Sequence, residues 1–145
     1  MTAPLSRDVA RRLPRAMVRL RARLRAQSAP GDTRWTWSQL ATLSRIAEEG
    51  PTTVSALAFA EHVRPQSMAE TVAALRQEGF VTAKSDPTDG RKTLMSITPS
   101  GRKLISTIRP IREAWLEAAI EKHLTPAERR TLLKAADIME SLADC

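Results

Sequence analysis

The spacing of hydrophobic positions changes several times along this chain, and each change marks an element. Leu13, Met17, Leu20 and Leu24 recur four, three and four residues apart, the repeat of one helix face. A first helix is therefore expected from Arg7 to Gln27, with residues 1–5 frayed. Pro14 interrupts that pattern, so the regular helix either starts near it or kinks there. Ser28-Ala-Pro-Gly-Asp32 breaks the period and reads as a linker. Leu40, Leu43 and Ala47, with Ile46 adjoining, predict a second helix that starts at a Thr36 N-cap and ends at a Gly50 C-cap. Pro51-Thr52-Thr53 is extended and available to add a short strand to a later hairpin.

Two short helical patterns follow. The first runs from Ser55 to Glu61, capped by Thr53 and buried through Leu57 and Ala58. A tight bend at Glu61-His62-Val63 leads to the second, which opens on Pro65, a residue suited to the first helical position. It continues to about Glu78 and stops at Gly79, with Met68, Val72 and Leu75 inward and Arg64, Gln66, Ser67, Glu70, Thr71 and Ala74 outside. The period then becomes two. Phe80–Ser85 and Thr93–Ile97 read as paired strands, with Asp89-Gly90 the turn dipeptide between them. A long helix starts at Thr98-Pro99 and runs to about His123 through Leu104, Ile108, Ile111, Trp115 and Ala119, with Pro110 inside it. Thr125-Pro126-Ala127-Glu128 is a capping box. It opens a last helix whose inward face is Leu132, Ala136, Met139 and Ala143.

Composition changes this picture in one respect. The formal net charge is +7, but residues 1–30 hold eight arginines against Asp8 alone, while residues 31–145 hold 15 basic and 15 acidic side chains. A basic chain points to nucleic acid, yet here the excess lies in the first helix. That helix reads either as a partner for another helix or as an arginine surface for phosphates or an anionic membrane. No apolar run approaches the roughly 20 residues of a membrane span. One cysteine, Cys145, forms no internal disulfide, and a cytosolic compartment is expected.

Catalytic signatures are absent, so an enzyme is not expected. His62 and His123 have no ligand partner at useful spacing, and neither metal nor cofactor is expected. Asp86 and Asp89 beside Arg91 and Lys92 read as turn caps. The binding chemistry is more specific. Helix, bend, helix and basic hairpin over Thr52–Gly101 form a helix-turn-helix with a wing, an arrangement that sets one helix in a DNA groove and an arginine beside it. Gln66 can pair with adenine, Ser67 with a base or a phosphate, and Arg64 with guanine or a phosphate. Glu70 either accepts from cytosine N4 or repels phosphate. Arg91 at the wing tip suits an A·T-rich minor groove. The DNA-contacting set is therefore Arg64, Pro65, Gln66, Ser67, Glu70, Thr71, Asp89, Arg91 and Lys92. Met17, Trp35, Trp37 and Trp115 are either core or the wall of a ligand cleft.

Asp86-Pro-Thr-Asp89-Gly-Arg91, followed after five residues by Ile97-Thr98-Pro-Ser-Gly101, resembles the wing signature of the MarR family of winged-helix regulators. Thr36-Trp-Ser-Gln39-Leu40, Leu75-x-x-x-Gly79-Phe-Val81 and Leu124-Thr125-x-x-Glu128 resemble the family at matching places. The resemblance covers residues 8–143. It implies a mainly α fold, a winged helix-turn-helix with a small antiparallel β-hairpin wing. It also implies that the N- and C-terminal helices form an intertwined homodimer body. The expected organisation is one domain over 1–145, with 6–30 and 99–145 for dimerisation and 36–98 as the DNA-binding lobe. Leu13, Leu20, Leu24, Leu132 and Met139 would hold the dimer. The resemblance also implies a regulator, usually a repressor, at a near-palindromic operator, released by a small phenolic or other aromatic effector. A protein-interaction module without sequence-specific DNA binding is the alternative, because several members carry basic residues where this chain has Glu70 and Ala74.

Overall fold

The computed structural model describes residues 2–27 and 35–145, with side chains from residue 4 onward; the linker expected at Ser28–Asp32 lies outside them. The elements are α1 (Thr2–Ala26), α2 (Trp37–Glu49), α3 (Val54–Ala60), α4 (Pro65–Gln77), β1 (Val81–Ser85), β2 (Thr93–Ile97), α5 (Pro99–His123) and α6 (Pro126–Ala143). The fold is mainly helical with one two-stranded antiparallel sheet. The chain forms two compact units, residues 28–110 and residues 1–27 with 111–145. The boundary therefore falls within α5.

In the 28–110 unit, local signals set the helix ends. Thr36 and Gln39 form a reciprocal capping box on α2, and the Thr53 hydroxyl accepts from the Ala56 amide at the start of α3. The bend after α3 is a Schellman closure. The Val63 amide donates to the Ala58 carbonyl and the His62 amide to the Phe59 carbonyl, with His62 at φ 53°. Histidine is among the few non-glycine residues enriched in that left-handed region. The same closure ends α4, where Phe80 donates to Leu75 and Gly79 to Arg76, with Gly79 at φ 78°.

Leu43, Ile46, Leu57 and Leu75 lie at the centre of the core, all nearly inaccessible. Burying each such side chain contributes about 1.5–3 kcal/mol before conformational entropy is counted. The buried Thr42 hydroxyl donates to the Met68 sulfur at 3.7 Å, a weak bond joining α2 to the inner face of α4. Arg45 ties α2 to the end of α3: Nε donates to Glu61 at 2.6 Å and Nη1 to Glu49 at 2.6 Å.

β1 and β2 pair in register from Val81 with Ile97 to Ser85 with Thr93. Thr52 joins Met95 through an isolated antiparallel bridge, so of the extra strand expected over Pro51–Thr53 only one residue pairs and the sheet stays two-stranded. The turn into α5 is crowded. Thr98 donates from its amide to Phe80 O at 3.0 Å and from its hydroxyl to Gly79 O at 2.6 Å. That hydroxyl accepts the Gly101 amide at 3.1 Å. A Cβ on Gly101 would land on the Phe80 carbonyl oxygen and against Ile97, which explains the glycine of the Thr98-x-x-Gly101 signature.

In the other unit, α1 is longer than expected. It begins at Thr2 rather than near Arg7 and passes through Pro14 unbroken. Its surface is exposed around Pro14, so the carbonyl that loses its amide partner there is open to water. α6 carries the predicted capping box of Thr125 and Glu128, and Arg129 donates to the carbonyls of Glu121 and Leu124 at the end of α5. Leu5, Val9, Met17, Val18 and Leu20 of α1 and Leu132, Leu133, Ile138 and Leu142 of α6 remain exposed. No helix among the described residues is long and apolar enough to cross a membrane.

Candidate nucleic-acid interface

α4 buries Met68, Val72 and Leu75. At 100° per residue, the line directly opposite runs through Gln66, Glu70, Ala73 and Gln77, and all four are exposed. Arg64 is the N-cap in extended conformation with no side-chain cap bond, and Pro65 follows at the first helical position. The first-turn amides of α4 thus keep their unpaired dipole end toward solvent, a setting that favours an anion. Arg64, Pro65, Gln66, Ser67 and Glu70 are exposed. Thr71 is half-buried, and its hydroxyl donates to the Ser67 carbonyl at 3.1 Å. Only its acceptor side is left for an outside partner.

The wing's strands end at Ser85 and resume at Thr93, as the sequence predicts. The loop spans Asp86 to Lys92, closed by the Asp86 amide donating to Lys92 O at 2.9 Å and the Lys92 amide donating to Asp89 O at 3.0 Å. Gly90 is not among the positive-φ glycines, and a Cβ there would meet nothing within 4 Å. Side chains shape the loop instead. Asp86 accepts from the Thr88 amide and hydroxyl, each at 2.8 Å, and those bonds hold its carboxyl below the usual value. Asp89 accepts from the Arg91 amide at 3.1 Å and from Arg91 Nε at 3.3 Å. Arg91 is thereby aimed while its side chain stays 94% exposed.

Arg91 and Lys92 also border a shallow concavity with Thr53, Val54, Ser55, Thr93 and Met95. The sequence marks Thr53 as the α3 cap and does not place it or Ser55 beside the wing. The signal that places them is the Thr52–Met95 bridge, which sets the start of α3 beside the wing. The four ligand candidates divide between the units. Trp35 is 5% exposed and meets Phe80 edge-on at 5.1 Å, so its ring belongs to the lobe core. Trp37 is half-buried in the same unit. Met17 and Trp115 belong to the other unit, where the Arg23 guanidinium sits 5.5 Å over the Trp115 ring. Of the dimerisation candidates, Leu20 and Leu132 are exposed, while Leu13, Leu24 and Met139 are half-buried.

A short helix, a bend, a second helix with a polar outer line and a hairpin presenting an aimed arginine define a winged helix-turn-helix. A profile of the MarR family matches residues 35–93. The chain is 39% identical over 129 residues, 89% of its length and 88% of the relative's, to an uncharacterized HTH-type transcriptional regulator from Mycobacterium bovis. Among solved structures it resembles a MarR family protein from Bacillus stearothermophilus, with a TM-score of 0.80 at 17% identity, covering 100% of this chain and 99% of that one. It also resembles Bordetella bronchiseptica BpsR, whose DNA binding is regulated by 6-hydroxynicotinic acid. That match has a TM-score of 0.72 at 24% identity and covers 91% of this chain and 92% of that one. The chain belongs to the MarR family of transcriptional regulators. DNA-binding regulation of transcription is the activity of that family.

Proposed function

We propose that this protein is a homodimeric repressor that binds a near-palindromic operator and releases it on binding a small aromatic effector. The single observation that carries the DNA reading is the lobe's exposed chemistry. The outer line of α4 and the 94%-exposed Arg91 lie in one compact unit, residues 28–110. Two copies of α4 would enter successive major grooves, with centres about 34–36 Å apart, and each Arg91 a flanking minor groove. Dimerisation is supported by the exposed leucines of α1 and α6. A folded monomer rarely leaves such stripes in water.

An effector would act by binding more tightly to a lobe spacing that does not fit DNA. The regulation of BpsR by 6-hydroxynicotinic acid supports an aromatic acid as the first class to try. A gel-shift titration on the gene's own upstream region, with and without salicylate or 6-hydroxynicotinate, tests both parts. Saturable binding to that duplex but not to a scrambled one is expected, with release by at least one acid. Equal binding to both duplexes would favour the protein-interaction module.

A further inference from the structure

The crown of α4 carries a carboxylate, and the groove it would enter leaves little choice of partner for it. Glu70 lies directly opposite the buried Met68, Val72 and Leu75 and is exposed. Its side chain makes no hydrogen bond or ion pair among the described residues. Its neighbours one turn away are Gln66, Ser67, Ala73 and Ala74, none of them a cation. Arg64 and Arg76 stand six positions away on either side, rotated about 120° from it around the helix. Nothing in the lobe neutralises Glu70 from its own helix, and the small side chains at 69, 73 and 74 allow close approach.

A carboxylate only accepts hydrogen bonds. On the floor of the major groove the only donors are the amino groups of cytosine and adenine. Adenine presents its N7 acceptor beside that amino group, against the second carboxylate oxygen, whereas cytosine presents a C–H. Elsewhere Glu70 would face base acceptors or phosphates, with no hydrogen bond to offset its desolvation.

We infer that Glu70 is a specificity-determining residue that selects one C·G pair in each half-site by accepting the cytosine N4 amino proton. This rests on the DNA-reading function proposed above. It makes the uncharged balance of α4 a source of discrimination, with affinity left to Arg64, Arg91 and Lys92.

The test is selection from a duplex pool carrying about 20 random base pairs, enough for two half-sites, by the full-length wild type, Glu70→Ala and Glu70→Gln. The wild type should recover a consensus with one cytosine per half-site whose replacement weakens binding by roughly 5- to 150-fold. Glu70→Ala should flatten that column alone, and Glu70→Gln should move it toward adenine. If Glu70→Ala keeps the wild-type consensus and binds every duplex more tightly by one common factor, Glu70 only repels phosphate and the inference is overturned. A wild type that recovers no consensus at all overturns the DNA-reading function together with it.

Discussion

Replacing Gly101 by alanine tests whether the junction of wing and α5 is held by close approach. Gly101 occupies the first turn of α5, where alanine is ordinarily favoured over glycine by about 1 kcal/mol. Against that gain stands the position of the new methyl, on the Phe80 carbonyl oxygen with Ile97 Cγ1 at 2.8 Å. The oxygen is fixed, because it accepts the Thr98 amide at 3.0 Å while the Thr98 hydroxyl holds Gly79 O. Relief therefore needs movement of α5 itself, and overpacking of that kind costs about 1–3 kcal/mol or somewhat more. The net loss expected for Gly101→Ala is about 1–2 kcal/mol, roughly 2–8 °C in Tm for a chain of this size. Urea unfolding and thermal melts at one fixed protein concentration, with exposed Ser100→Ala as control, measure it. An unchanged or raised midpoint for Gly101→Ala would show that helix propensity alone operates there and that the crowding argument is wrong.

Arg91→Ala should flatten the dependence of log K on log[salt] for operator binding by about 0.9 per wing, hence nearly 2 per dimer; an unchanged slope removes the wing arginine from the phosphate region. Gln66→Ala should relax preference at one position per half-site by about 1–3 kcal/mol, read by competition among single-base operator variants. Arg45→Met removes the bonds to Glu61 and Glu49 and should destabilise the lobe by about 1–2 kcal/mol in urea, with Glu61→Gln giving a smaller loss. In acid, the Asp86 cap should outlast an ordinary carboxylate. Its folded pKa is lowered chiefly by the Thr88 amide, so the cap is fully formed above the ordinary value and is lost as pH falls through the lower folded one. The Thr88 amide shift followed by NMR shows this, and Asp86→Asn should abolish the transition.

What the sequence made legible is what local chemistry dictates. Thr36, Thr53, Thr125 and Pro65 announce helix starts because they satisfy or omit first-turn amides, and each stands at the predicted end. Gly79 announces a stop because left-handed backbone favours glycine. His62 adopts the same conformation without the glycine that would signal it. The misses depend on context beyond a turn. Pro14 reads as a breaker, yet an exposed helix tolerates it. Asp89-Gly90 reads as a turn that needs glycine, yet Gly90 has no positive φ, and the loop is shaped by Asp86 and Asp89, which read as caps. Trp35 reads more readily as core than as cleft wall, and its contact with Phe80, 45 positions on, sets its ring in the lobe core. At the interface, Gln66 and Glu70 follow from the spacing of Met68, Val72 and Leu75. Thr71 and Ala74, expected outside, are instead half-buried, and Ala73 and Gln77 are exposed on the outer line. The hydroxyls of Thr53 and Ser55 beside the wing do not follow from local spacing, because pairing across more than 40 residues puts them there.

That pairing has a mechanical consequence. Thr52 and Met95 exchange two backbone hydrogen bonds, fastening the residue before the α3 cap to the middle of the strand that leaves the wing. Neither hairpin nor helix pair can then swing alone without breaking both bonds. Amide hydrogen exchange at Thr52, Met95 and Leu75 should accordingly proceed through one shared opening with a single free energy. A signal reaching one part of the lobe would be passed to the rest, and under the proposed function the wing tip would leave a duplex in the same event as α4.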